Sequence, residues 1–165
     1  MKFLGIETSC DETAASVVIA EAGNLRPQYQ VPSNIVSSQY VHTQYGGVIP
    51  ELASRAHIQL IVPITETALE VAKTDYNELD GIAVTYAPGL VGALLVGLSF
   101  AKALSFSLQK PFVGVNHLEG HIFSLLLSYP ELKPPFLAMI ISGGHTELLL
   151  IKDLCQYEQL GSTTD

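Results

Sequence analysis

The stretch that decides the fold is Phe3-Leu-Gly-Ile-Glu-Thr-Ser-Cys-Asp-Glu-Thr-Ala-Ala-Ser-Val-Val18. The same pattern of apolar and polar residues recurs 133 residues later, in Phe136-Leu-Ala-Met-Ile-Ile-Ser-Gly-Gly-His-Thr-Glu-Leu-Leu-Leu-Ile151. Each stretch is an apolar run, a polar turn and a second apolar run, which predicts a β-hairpin. Two hairpins often look alike, so the match alone is loose. The second copy follows a series of predicted strands and helices that could form a complete lobe. This placement suggests the internal duplication of a whole lobe.

The elements between the two copies alternate between strands and helices, which predicts an α/β lobe with a mixed five-stranded sheet. Pro32 confines a third extended piece to an edge or irregular position, and Pro63 predicts one kinked helix or two. The predicted elements are strands at 2–7, 14–20, 29–37, 81–86 and 112–116, and helices at 51–73, 90–109 and from the first histidine of the segment 116–121 to about 128. Small residues on the helix 90–109 permit close approach of another helix.

Three prolines between Tyr129 and Pro135 predict a lobe boundary, with residues 1–133 as the first lobe and 134–165 as the beginning of a second. The residues Gly161-Ser-Thr-Thr-Asp165 have a loop composition. We therefore expect one whole lobe and the first hairpin of the next, in a fragment that is inactive by itself.

The chain of 165 residues is unusually apolar, with 48% hydrophobic and 15% charged residues. Its longest apolar run, 87–101, contains glycines and stops at Lys102, so it is too short to cross a bilayer. No signal-peptide pattern precedes Glu7, and Cys10 and Cys155 lack CxxC spacing. These features predict a cytoplasmic protein with reduced thiols and no membrane association.

The net charge of −8 argues against nucleic-acid binding by this segment alone, since affinity for phosphates comes from clustered Lys and Arg. The eight basic residues are scattered along the chain. If the protein acts on RNA, the RNA-binding surface lies elsewhere in the protein or in a partner.

The segment Asn116-His-Leu-Glu-Gly-His121 places two imidazoles four residues apart after an apolar strand. Positions i and i+4 lie on one face of a helix, so His117 and His121 form a two-ligand metal half-site. Alternatively, one histidine caps the turn between strand and helix while the other lies on a partly solvated helix face. Paired histidines suit iron and zinc alike.

The turns of the two hairpins differ in chemistry. Ser142-Gly-Gly144 leaves backbone N–H groups open to an anion, although an ordinary hairpin turn also favours Gly-Gly. Asp11 and Glu12 would repel phosphate, but they could hold a cation, orient water or order the hydroxyls of Ser9 and Thr13. The alternative is a solvated acidic turn. A Walker A loop is excluded because no Lys-Ser or Lys-Thr follows the glycines after Pro88.

Five motifs in order resemble the N-terminal half of the TsaD family, also called Gcp or OSGEP, in the form found in bacteria. They are Leu4-Gly-Ile-Glu-Thr-Ser-Cys-Asp-Glu-Thr13, Gly46-Gly-Val-Ile-Pro-Glu-Leu-Ala-Ser-Arg55, Pro88-Gly-Leu-Val-Gly-Ala-Leu-Leu-Val-Gly97, Asn116-His-Leu-Glu-Gly-His121 and Ser142-Gly-Gly-His-Thr146. The resemblance implies a fold of the actin, Hsp70 and sugar-kinase type (ASKHA, ribonuclease H-like). It also implies a metal-dependent acyltransferase that moves a threonylcarbamoyl group from its adenylate to N6 of the adenosine 3′ to the tRNA anticodon.

The resemblance also implies roles for individual residues and for partners. His117 and His121 would hold one divalent metal ion, iron or zinc, whose third ligand is an Asp without a counterpart in this chain. Asp11 and Glu12 would shape the transfer site. The residues that would line the adenylate or ATP-type nucleotide site in an interlobe cleft are Ile140, Ile141, Ser142, Gly143 and Gly144. The implied partners are tRNA, a paralogous TsaB-type subunit without the metal site and a TsaE-type ATPase.

Two other functions compete with this prediction. A metallopeptidase of the O-sialoglycoprotein endopeptidase type is weaker chemically, because zincin chemistry needs Glu directly after the first His, where this chain has Leu118. The other is a binding module whose apolar helices, 51–73 and 90–109, pack on a partner or on a second copy.

Overall fold

Eight strands in two sheets and three α-helices lie within the part of the chain that the structure describes. This structure is a computed structural model, and it describes residues 1–21, 28–39, 42, 45–142 and 145–164. The chain divides into two units, Met1–His117 and Leu118–Asp165. The lobe boundary expected after residue 133 remains a prediction.

The first unit is built on a mixed five-stranded sheet in the order β3-β2-β1-β4-β5. Its strands are β1 (Lys2–Glu7), β2 (Glu12–Glu21), β3 (Gln28–Ser38), β4 (Gly81–Ala87) and β5 (Phe112–Asn116). β1, β2 and β3 pair antiparallel, whereas β1, β4 and β5 run parallel. β3 is an edge strand, as Pro32 predicted, because a proline has no N–H for a neighbouring strand. The mixed sheet predicted from the sequence is confirmed.

Helix α1 (Pro50–Val71) continues through Pro63 as one helix. Ala53, His57 and Ile61 recur at helical spacing on its buried face. Pro63 lies on the exposed face, so the carbonyl of the exposed Gln59, which loses its helical partner, can bond to water. A proline on the solvent side is therefore tolerated.

Two glycines of helix α2 (Val91–Leu108) allow it to lie close to two different neighbours. A Cβ atom on Gly92 would lie 2.5 Å from Ser54 Oγ of α1, so this glycine permits the predicted helix–helix approach. A Cβ atom on Gly97 would lie 2.4 Å from Thr8 Oγ1. The second approach brings α2 against the turn that follows β1, and the sequence did not predict it.

The expectation that this apolar stretch is too short for a bilayer was wrong. Lys102 lies inside α2, and the 18-residue helix with mean hydropathy 1.7 is long and apolar enough to cross a membrane by length and composition. One such helix is weak evidence, since a core helix of a soluble protein passes the same test. α2 packs on β4 and α1 in this unit, with Ala93, Leu94, Gly97 and Ala101 buried.

The core of the first unit lies between the sheet and these two helices. The sheet contributes Leu4, Val17 and Val84, which are almost inaccessible, and α1 contributes Ile61 and Ala68. Full burial of one such aliphatic side chain contributes about 1.5–3 kcal/mol. This core holds β1, whose carboxyl end carries the candidate site.

The second unit contains a three-stranded antiparallel sheet in the order β6-β7-β8. Its strands are β6 (Phe136–Ile141), β7 (His145–Asp153) and β8 (Gln156–Thr164). Within this unit Ile122 of α3 (His117–Ser128) joins a small core with Ala138, Leu149 and Ile151. The loop expected at 161–165 was wrong for Gly161 to Thr164, because these polar residues pair with β7 through backbone bonds that do not depend on side-chain polarity.

The two hairpins repeat in their pairing register. Phe3 pairs with Val18, and Phe136 pairs with Ile151, so both partners are offset by 133 residues. The same offset holds from Glu7 with Ala14 to Ile140 with Glu147. A third antiparallel strand follows in each case. The repeat seen in the sequence is thus a repeat of backbone geometry.

Candidate functional site

The candidate site lies at the carboxyl ends of the parallel strands. β1 ends at Glu7 and β5 at Asn116, with Thr85 near the end of β4 between them. Ligands of open α/β sheets generally bind at this edge, outside the carboxyl ends of the strands. The register therefore places Glu7 close to His117, although 110 residues separate them in the sequence.

The side chains of Glu7 and His117 are in direct contact. His117 Nδ1 lies 3.3 Å from Glu7 Oε2, and Ser9 Oγ lies 3.2 Å from the same nitrogen. Burial alone would raise the pKa of Glu7, but hydrogen bonds with His117, Ser9 and Thr85 outweigh it and lower the pKa to about 2. The bond to Glu7 in turn raises the pKa of His117, against the effect of burial. Glu7 is therefore a carboxylate at neutral pH.

The turn between β1 and β2 is held at three consecutive carbonyls. Ser9 O accepts the N–H of Leu90 at 2.8 Å, and Asp11 O accepts the N–H of Gln39 at 3.0 Å. Between them, Cys10 O accepts His57 Nε2 at 3.0 Å. Such anchoring fixes the backbone that carries the acidic side chains.

Asp11 lies in this turn and Glu12 opens β2. Glu12 is exposed, and its carboxylate accepts the hydroxyl of Ser38 at 3.0 Å. Burial, together with the neighbouring Asp11, raises the pKa of the Cys10 thiol. Since the thiolate is the nucleophilic form, this shift disfavours reaction at Cys10, and Asp11 and Glu12 remain the candidate reactive groups of the turn.

The predicted metal ligands His117 and His121 lie four residues apart on α3, a spacing that puts both on one helix face. Metal-bound histidines usually bond a carboxylate through the other ring nitrogen, and the contact between Nδ1 and Glu7 fits this pattern with Nε2 as the ligating atom. Among the described residues, no group of three or more His, Cys, Asp and Glu could hold a metal ion. Metal binding by His117 and His121 therefore stays a prediction.

The predicted nucleotide-site residues lie at the end of β6 and directly after it. Ile141, the last residue of β6, and Ser142, which follows it, are exposed, whereas Ile140 packs against the small core. If Ile140 contributes to a nucleotide site, it does so through its main chain. Gly143 and Gly144 lie outside the described residues.

Sequence reasoning missed Glu7 and His57. Glu7 looked like the end of an apolar strand, but a carboxylate at the end of a parallel strand is itself a signal of a site. His57 occupies a position of the apolar stripe of α1, between Ala53 and Ile61, where a buried polar group needs partners. The hydroxyls of Ser9 and Thr13, expected near the acidic residues, bond His117 and His57 respectively.

The architecture belongs to the actin, Hsp70 and sugar-kinase class. YeaZ from Pseudomonas aeruginosa is similar, with a TM-score of 0.58 at 15% identity over 99% of this chain and 66% of that one. The Aquifex aeolicus PPX-GPPA enzyme gives 0.52 at 12% identity, over 99% of this chain and 52% of that one. At these identities the likeness shows the fold alone, and it confirms the fold predicted from the sequence.

The chain belongs to the TsaD family, tRNA N6-adenosine threonylcarbamoyltransferase, whose model matches residues 30–165. Relatives with that name are 51% identical in Caldicellulosiruptor saccharolyticus and 52% in Clostridium kluyveri, each over all of this chain. A third, from Gloeothece citriformis, is 53% identical over 98% of this chain. The chain spans about half the length of these relatives, 47%, 47% and 45% respectively.

Proposed function

We propose that the protein transfers a threonylcarbamoyl group from threonylcarbamoyl-adenylate to N6 of the adenosine 3′ to the tRNA anticodon, forming t6A. Family membership supports the proposal, as does the name of relatives that are 51–53% identical. The observation that carries it is the anchored turn, which holds Asp11 and Glu12 next to the ends of the parallel strands.

The proposed chemistry needs a base at this turn. N6 attacks the carbamoyl carbon, a C–N bond forms, and the bond from that carbon to the phosphate oxygen breaks, so that AMP leaves with the electron pair. N6 gives up a proton in the process, and Asp11 accepts it as general base. The Glu12 carboxylate accepts a hydrogen bond from the Ser38 hydroxyl, and in this proposal it helps to orient the amine.

The remaining groups of the site belong to the same proposal. A divalent ion, iron or zinc, held by His117 and His121 would supply Lewis-acid polarisation of a carbonyl or phosphoryl oxygen. Glu7 fixes the orientation of the His117 ring. The adenylate would lie against the segment Ile140–Gly144, with Ile141 and Ser142 as exposed contacts.

The proposal places the protein in the cytoplasm with tRNA, a TsaB-type paralogue and a TsaE-type ATPase as partners. Because the net charge is −8, we expect the tRNA-binding surface to lie outside these residues.

The test uses a chimera in which this chain replaces the matching segment of the Clostridium kluyveri relative, to which it is 52% identical. In this chimera Asp11→Ala is expected to lower tRNA threonylcarbamoylation about 100-fold or more, because the transfer loses its base. Glu12→Ala should lower it less. The measurement is incorporation of labelled threonine into tRNA, run beside a peptide-cleavage assay that would detect the competing peptidase.

Glu21→Ala is the matched control, since Glu21 is an exposed carboxylate at the far end of the same strand. All three variants should keep the free energy of unfolding within about 0.5 kcal/mol, as surface substitutions usually do. Unchanged modification by the Asp11 variant would remove the turn from the transfer site.

A second prediction concerns partner binding by α1 and α2. Ile58 on α1 is 64% exposed and Leu95 on α2 is 54% exposed, although both are aliphatic. Because exposed apolar surface favours association, Ile58→Glu and Leu95→Glu are expected to weaken binding to the TsaB-type paralogue and any homodimer about 10-fold or more. Light scattering of the chain with and without the paralogue measures both.

Val36→Glu is the control for this surface, because Val36 on β3 is equally apolar and 50% exposed but lies on neither helix. A chain that stays monomeric at high concentration and ignores the paralogue would contradict the prediction. Equal weakening by the Val36 variant would show that charge rather than the helix surface is responsible.

A further inference from the structure

A line of hydrogen bonds crosses the first unit from Ile49, next to α1, to Cys10 in the turn. The N–H of Ile49 lies 3.3 Å from His42 Nδ1, and His42 Nε2 lies 2.9 Å from Gln39 Oε1. Gln39 Nε2 lies 3.5 Å from His57 Nδ1, and His57 Nε2 lies 3.0 Å from Cys10 O. We call these residues the Ile49–Cys10 relay.

Backbone groups at both ends set the direction of the relay. The N–H of Ile49 can only donate, so His42 accepts on Nδ1 and donates from Nε2. Gln39 Nε2 also donates to the carbonyl of Ala53 at 3.3 Å, which fixes the orientation of its amide. The carbonyl of Cys10 can only accept, so His57 carries its proton on Nε2. Every member thus donates toward the turn.

The Nδ1 atom of His57 receives two donors. Thr13 Oγ1 lies 2.8 Å from it, in addition to Gln39. The ring of His57 is fully buried, and burial lowers its pKa despite the opposing effect of Cys10 O. A neutral ring with one proton, on Nε2, satisfies all of these contacts.

We propose that His57 is a positioning residue, whose neutral ring, oriented by Thr13 and Gln39, holds the Cys10 carbonyl and so sets the place of Asp11. This inference rests on the proposed function, which makes Asp11 the base of the transfer. Main-chain N–H groups hold the carbonyls on either side. Of the three contacts to these carbonyls, only the one to Cys10 O is made by a side chain. Through it, His57 of α1 and Thr13 of β2 can influence the position of the turn.

The test uses the 165-residue chain and needs no transfer activity, so its failure is distinct from failure of the proposed function. Long-range ¹⁵N–¹H NMR of the histidine rings reports which nitrogen of His57 is protonated. Wild type and Thr13→Ser should show Nε2–H alone, because serine keeps the hydroxyl. Thr13→Val removes one of the two donors to Nδ1, so the ¹⁵N resonance of Nδ1 should shift, while the proton stays on Nε2 because the Cys10 carbonyl still accepts it.

The second readout is the alkylation rate of the exposed Cys10, measured by peptide mass spectrometry with the exposed Cys155 of the other unit as internal reference. Thr13→Val should change the Cys10 rate about 2- to 10-fold, the ratio that one net hydrogen bond produces, and should leave Cys155 unchanged. Thr13→Ser should restore the wild-type rate. His57→Phe should give a larger change, and if it does not fold, Thr13→Val decides.

Two results would overturn the proposal. One is a wild-type His57 with both tautomers populated. The other is a Cys10 alkylation rate that is the same in Thr13→Val as in wild type. If instead Asp11→Ala leaves tRNA modification unchanged while both readouts behave as expected, the proposed base is wrong but His57 still positions the turn.

Discussion

His117→Ala, in the chimera with the Clostridium kluyveri relative, is expected to lower the metal content from about one ion per chain to a small fraction of that. The reason is that a tetrahedral site with three protein ligands loses one of them, and His121→Ala should act in the same way. The measurement is elemental analysis after identical dialysis. The 165-residue chain alone should bind the metal weakly, since two histidines are half of a tetrahedral shell.

A variant of Glu7 tests whether the residue that orients His117 also affects metal affinity. Glu7→Gln weakens the hydrogen bond that orients His117 and is expected to lower metal affinity about 10- to 100-fold. Glu21→Gln, at an exposed carboxylate of β2 outside the site, should leave affinity unchanged. Stoichiometric metal in the 165-residue chain would show that a third ligand lies within it, such as His145 or Asp11, and that our assignment is wrong.

Gly97→Ala is expected to destabilise the chain by about 1–3 kcal/mol through overpacking. The added Cβ would lie 2.4 Å from Thr8 Oγ1 and 3.4 Å from its Cγ2. Thr8 is fully buried, its hydroxyl donates to Ala93 O, and rotation of its branched side chain only exchanges one close atom for another. Helix α2 must therefore move away from the turn.

Gly120→Ala on α3 is the matched control for Gly97→Ala. A Cβ atom there meets nothing within 4 Å, so the helix should gain stability by up to about 1 kcal/mol from the better propensity of alanine. Urea denaturation of both variants gives the two free energies of unfolding. Opposite signs support the close approach of α2 to the turn, whereas stabilisation by Gly97→Ala would contradict it.

Local patterns predicted most of the fold. β1 and β5 begin and end at the predicted residues, because each is a short apolar run bounded by polar or turn residues. β8 was missed because Gln156–Thr164 is polar and contains Gly161, and its strand conformation comes from pairing with β7. The apolar run was ended at Lys102 although the predicted helix 90–109 contains this residue, and a single lysine does not prevent the 18-residue helix from being apolar enough to cross a membrane.

The candidate site was less predictable because its contacts are long-range. Asp11 and Glu12 stood out as an acidic pair in a turn, and their positions follow from the local hairpin. The pairing of Glu7 with His117 depends on the parallel order of β1, β4 and β5, and the contact of His57 with Cys10 depends on how α1 packs on the sheet. Spacing in the sequence does not contain this information.

The shared register of the two hairpins has a consequence for how such a protein can evolve. Strand pairing aligns the arms of both hairpins through the same offset, from Phe3 with Val18 to Phe136 with Ile151. The side chains at the turns can therefore drift with little effect on folding, and one ancestral loop can diverge into an acidic copy at Asp11 and a glycine-containing copy after Ser142. A duplication of this kind would supply a second surface whose side chains can change independently, on a backbone that already folds.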